Sequence, residues 1–133
     1  MIYWVALFFW LVFIAYCGTR RFGRAQSQQW IDTVKSKPAL WKFLDAYHGH
    51  FRAAFHYVEF GGLFLLLYLA LSQGNLDWSF ARGHATWAIC CIVAVLDELH
   101  QSRTAGRCFR PIDLLHSFFG ATLTLLGTAI LGH

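Results

Sequence analysis

Three polar strings interrupt a chain that is otherwise apolar: His56 with Glu59, Asp97-Glu98 with His100 and Gln101, and Asp113 with His116. Each sets a carboxylate three residues from an imidazole, so on a helix both side chains leave from one face. Pairs of this kind can ligate a metal ion, relay a proton, or hold a polar head group. Positive charge stands close by at Arg103, Arg107 and Arg110. Arg107 follows Gly106, where the backbone is free to turn back, and is the arginine expected to meet the carboxylates.

The elements that must position these residues follow from composition. Hydrophobic residues make up 57% of the 133 and charged residues only 14%, with a mean hydropathy of +0.45. Soluble domains carry about a quarter charged residues, so lipid is the solvent to assume. Apolar runs of roughly 16 to 20 residues match the length that crosses about 30 Å of hydrocarbon as a helix. The expected architecture is all-α: a polytopic integral membrane protein with four transmembrane helices in a small bundle, forming a single domain over 1–133. The helices are expected at about 1–17, 53–71, 85–100 and 112–131. A basic loop, 18–52, holds at most a short interfacial helix around Trp30 to Phe43, because Gly18, Pro38 and the Gln-Ser-Gln-Gln stretch interrupt any longer pattern. Pro111 stands where a first helical position accepts proline.

Charge placement predicts the threading. Seven Lys/Arg lie between Gly18 and Arg52, one at Arg82, and three between Arg103 and Arg110, so alternate loops hold ten against one. Under the positive-inside rule the first and third loops are cytoplasmic and both termini are outside. The first run has no charge before it and Arg20, Arg21 and Arg24 after it, the reverse of a secretory signal, and reads as an uncleaved anchor. Trp4, Trp78 and Trp87 then fall near the outer interface and Trp41 near the inner one. The same asymmetry accounts for the basic pI and argues against a nucleic-acid partner.

Threaded this way, the three polar strings meet at one depth. Glu59 sits about seven residues, roughly 10 Å, into its helix. A charged side chain at a helix centre costs about 2.5 to 3.5 kcal/mol on insertion scales, so Glu59, Asp97, Glu98 and Asp113 at one level need partners. Interfacial water at a helix end would account for Glu98 and in part for Asp97, but not for Glu59. The expected ligand-binding set is His56, Glu59, Asp97, Glu98, Gln101, Arg107, Asp113 and His116. Gly120, Thr124 and Gly127 form a small-residue stripe that lets helices approach closely. Cys17, Cys90, Cys91 and Cys108 lack metal spacing and read as small buried hydrophobes.

The string His56-Tyr57-Val58-Glu59-Phe60, then Asp97-Glu98 with Gln101, then Gly106-Arg107, then Asp113 and Gly120, resembles the ordered signature of the VanZ-like family. The likeness runs from His56 to about Gly127, with His116 standing where the family pattern has Asn. This family is named for a membrane protein linked to resistance against the glycopeptide teicoplanin. The resemblance implies a fold and a site, with a bacterial inner-membrane location, more than a reaction.

Three functions compete on these residues. A lipid head group, or a partner's polar segment, would be held by Arg107 and oriented by the carboxylates. A metal ion would draw on His56, Glu59, His100, Asp113 and His116, and haem or a chlorophyll-type pigment on two of the histidines. A structural subunit of a larger membrane assembly would use the uniformly apolar first helix against other subunits. General acid/base chemistry is open to carboxylate and histidine pairs, yet no nucleophile elbow, P-loop, His-Glu-x-x-His string or zinc spacing is present, and Ser102 and Ser117 read as loop and packing residues. The balance leans away from an enzyme, with no cofactor required.

Overall fold

A computed structural model describes residues 1–19, 29, 32–33, 37–104 and 109–132. Among the described residues it holds four long helices and no strand: α1 (Ile2–Cys17), α2 (Pro38–Leu71), α3 (Phe80–Ser102) and α4 (Pro111–Leu131). Three stretches are long and apolar enough to cross a membrane, namely Gly49–Leu71, Phe80–Ser102 and Pro111–Leu131. At 16 residues α1 is shorter, about 24 Å at 1.5 Å per residue.

The boundaries depart from expectation chiefly at α2. Instead of starting at 53, after a loop, this helix is continuous for 34 residues from Pro38. Pro38 was expected to break the pattern, but it occupies a first-turn position, where its missing N–H has no intrahelical partner to lose. Residues 38–52 therefore belong to a helix, not to the basic loop. The third helix also starts five residues earlier than the expected 85 and runs two beyond 100. The segment expected around Trp30 to Phe43 lies partly outside the described residues.

The central helix is α2, which packs against each of the other three. Its neighbour α1 runs antiparallel to it: Tyr3 abuts Gly74, the Trp10 ring lies over Gly62, and Phe13 meets Phe55 at 6.1 Å between ring centroids. Between them, Trp10 Nε1 donates to the Glu59 carbonyl at 2.8 Å, giving the indole N–H its partner inside an apolar contact. The interior of the bundle is built on Phe60, Leu63, Phe64, Leu67 and Tyr68 of α2, with Leu7, Ile14, Cys90, Ala94 and Ala121 from the flanking helices.

The α2–α3 turn closes the far end. Gln73 takes the left-handed conformation (φ 57°) and the Gly74 N–H reaches back to the Leu69 carbonyl at 2.8 Å, a helix-terminating arrangement that satisfies an orphan carbonyl. Tyr68 locks that turn, donating to the Asp77 carbonyl at 2.7 Å and accepting from the Ser79 N–H at 3.1 Å. Its ring is stacked between Phe64 and Trp78, both at an 11° interplanar angle.

Candidate functional site

Both α2 and α4 run in the same direction, and a constant register places their side chains together. Arg52 lies beside Asp113 and His56 beside Ser117, each pair 61 residues apart. The register holds because the backbones touch. A Cβ built on Gly120 would lie 2.7 Å from the Tyr57 carbonyl oxygen and 2.8 Å from its Cα, and one on Gly61 would lie 2.9 Å from Thr124 Oγ1. Any larger residue at Gly120 would push the helices apart, so the small-residue stripe is part of what brings the polar groups together. Gly127, also expected in that stripe, has open space around it.

At this level the carboxylates have company. Asp113 is 3% exposed and its Oδ2 meets Arg52 Nη2 at 2.6 Å, with Arg110 Nη1 at 3.8 Å. Arg110 also donates its backbone N–H to Glu98 Oε1 at 2.5 Å, so one residue ties the end of α3 to the start of α4. Next to this group His56 Nδ1 lies 3.7 Å from Glu59 Oε2 and 3.3 Å from Ser117 Oγ. Ser117 donates its hydroxyl proton to the Asp113 carbonyl at 3.1 Å. A hydroxyl has one proton to give, so the proton shared with His56 must sit on Nδ1, which donates to Ser117 Oγ.

The end of α3 forms a second group. Gln101 Nε2 donates to Asp97 Oδ2 at 2.6 Å. Asp97 and Glu98, which interfacial water might have served at an exposed helix end, are both buried; Glu98 is held from α4, and Asp97 packs where Gly18 at the close of α1 meets α3. His100 is exposed and stands beside Gly18 instead of joining His56 and Glu59. His116 is half-buried, its ring edge-on to Tyr57 with 5.5 Å between centroids. Gly106 and Arg107 lie outside the described residues.

Arg52 and Ser117 are the members that sequence reasoning did not select. Arg52 was assigned to the loop, yet Arg52, His56 and Glu59 stand at i, i+4 and i+7, one helical stripe. Extending the helix backwards past 53 would have found it. Two buried polar atoms here have no hydrogen-bond partner in the structure, Arg52 Nε and His116 Nδ1. Among the described residues no three His, Cys, Asp or Glu side chains converge to hold a metal ion.

Apolar helices of membrane-crossing length around an interior carboxylate cluster define a small helical membrane protein. The family model described as VanZ/LLP1 matches residues 1–132, and the chain belongs to that family. The match takes in α1 and the basic segment as well as the His56 to Gly127 stretch that carries the motif. No curated protein and no solved structure matches the chain.

Proposed function

We propose that this VanZ/LLP1 protein is a binding protein with four membrane spans, α1 included, and both termini outside. Its cluster around Asp113 takes an anionic lipid head group, or the equivalent group on a partner's polar segment, from the cytoplasmic side. The observation that carries this reading is the pair of unpartnered buried atoms, Arg52 Nε and His116 Nδ1. A guanidinium that spends Nη2 on Asp113 keeps Nε to donate to a second acceptor, and a buried polar atom left without one calls for a ligand or water. Depth supports a head group: Arg52 lies three residues past Gly49, where the apolar stretch of α2 begins, about 5 Å by helical rise. An arginine at that depth can extend its guanidinium toward the head-group phosphates.

Ten of the eleven Lys/Arg fall between Gly18 and Arg52 or between Arg103 and Arg110 in the sequence, which supports the orientation and an anionic ligand alike. Arg107 is assigned as the second cation on the head group. The test is lipid retention after reconstitution into bilayers containing phosphatidylglycerol and phosphatidylcholine. Wild type is expected to keep phosphatidylglycerol through detergent extraction, with Arg107→Ala and Arg52→Lys each retaining several-fold less. Unchanged retention of every lipid in both variants would rule the reading out.

A further inference from the structure

Helix α2 is longer than a membrane requires. Its 34 residues extend about 51 Å at 1.5 Å per residue, against about 30 Å of hydrocarbon. The apolar stretch begins at Gly49, so Leu40, nine residues earlier, stands about 13 Å outside it, past a head-group layer of about 5 to 8 Å. Lipid does not reach Leu40, which is 42% exposed. It opens a series: Leu40, Tyr47, Phe51, Ala54, Val58 and Leu65 are all exposed. Their separations of 7, 4, 3, 4 and 7 residues are those of the a and d positions of a heptad. In the sequence Leu44 and Gly61 occupy the two remaining positions of that repeat. At about 100° per residue the series keeps to one strip roughly 80° wide. The four charged residues of α2, Lys42, Asp45, Arg52 and Glu59, all fall at b or f, the opposite side, which carries Arg52 and Glu59 to the interior. The apolar strip thus continues outward past the end of the lipid, where water makes leaving it uncovered unfavourable.

We infer that this strip is the contact between two copies of the chain, paired in parallel along α2 about a two-fold axis normal to the membrane. Copies inserted in the same sense can bring their α2 helices together only in parallel, and a symmetric pair then sets each a or d residue against its own counterpart. A self-pairing surface must not oppose like charges. No Lys, Arg, Asp or Glu stands at a, d, e or g from 40 to 65, so this one brings none together. Its size also fits. A half-exposed aromatic side chain presents about 100 Å², and the six exposed positions together roughly 500 Å² per copy, so a pair covers about 1,000 Å², where specific interfaces begin. Within the bilayer, lipid competes for the strip on nearly equal terms. Leu40, Leu44 and Tyr47, at and beyond the head groups, therefore supply the hydrophobic drive, and Phe51 to Leu65 supply the fit. The Asp113 cluster lies on the other side of α2 and stays open to its own ligand.

The experiment places the full chain in phosphatidylcholine liposomes at low protein-to-lipid ratio and counts copies per particle by single-molecule photobleaching. Wild type should be dimeric. Leu40→Glu and Tyr47→Glu, both at exposed positions, set identical charges face to face and should raise the protein density needed for half-dimerisation at least tenfold, the equivalent of about 1.4 kcal/mol. Lys42→Glu, on the opposite side, should leave it unchanged. A second measurement does not depend on those variants: with Cys17, Cys90, Cys91 and Cys108 replaced by alanine, Leu40→Cys should cross-link to its own counterpart under mild oxidant and Lys42→Cys should not, because a disulfide needs Cα atoms within about 7 Å. A monomeric wild type overturns the inference, and so does equal cross-linking at 40 and 42. A dimer indifferent to both glutamates overturns it by moving the contact elsewhere, and a different protein bound to the strip overturns it by giving the strip another occupant.

Discussion

Arg52 and Asp113 meet at 2.6 Å between two helices that run parallel, with side-chain exposures of 18% and 4%. The carboxylate is the more deeply buried partner, so the pair is asymmetric: removing the arginine leaves a buried charge to the more distant Arg110 at 3.8 Å, while removing the charge leaves an arginine that can still reach the interface. Arg52→Ala is expected to lower stability by about 3 kcal/mol, read as the midpoint shift of chemical unfolding in micelles followed by circular dichroism. Asp113→Asn should cost less, and the double variant should recover part of the Arg52→Ala loss. Equal losses in both single variants would mean that packing, not charge, sets the effect.

The crossing of α2 and α4 depends on Gly120 and not on Gly127. A methyl at Gly120 runs into the Tyr57 backbone, which cannot swing away as a side chain would, whereas one at Gly127 meets nothing within 4 Å. Gly120→Ala should cost about 1 to 3 kcal/mol by overpacking. Gly127→Ala should be neutral or stabilise by up to about 1 kcal/mol through helix propensity. Thermal unfolding of the two variants side by side gives the comparison.

This contrast bears on what was legible in the sequence. Apolar run length located the four helices of the described residues, three of them long enough to cross a membrane, and the i, i+3 spacing set His56 and Glu59 on one face, 3.7 Å apart. Spacing within a helix says nothing of its neighbours. The parallel register that sets Asp113 against Arg52, and Ser117 against His56, exists only once Gly120 and Gly61 have set the helices in contact. Arg52 was hidden for a more local reason: Pro38 reads equally as a breaker or a first-turn residue, and only the continuous helix decides. His100 shares a face with Asp97, but that face turns toward α1, not toward His56 and Glu59.

At the opposite end Tyr68 serves two backbone groups at once, the Asp77 carbonyl and the Ser79 N–H. Tyr68→Phe keeps the ring stack and removes both bonds at the start of α3. Each bond contributes about 0.5 to 1.5 kcal/mol net, and a loss of about 1 to 3 kcal/mol is expected for the two. Hydrogen exchange should quicken at the Ser79 amide while amides at the Gly120 crossing keep their protection. Uniform quickening along all helices would indicate global loosening in place of a local clasp.

Ser117 stands between His56 and the Asp113 carbonyl, accepting from one and donating to the other. Replacing it with alanine leaves the His56 Nδ1–H facing a methyl and takes the hydroxyl from the Asp113 carbonyl. Two hydrogen bonds go with the hydroxyl, each contributing about 0.5 to 1.5 kcal/mol net. Ser117→Ala should therefore unfold with a lower denaturant midpoint than wild type, followed by circular dichroism of the protein in micelles. An unchanged midpoint would mean that Ser117 is only packing, and that the bundle does not depend on the hydroxyl to join His56 to α4.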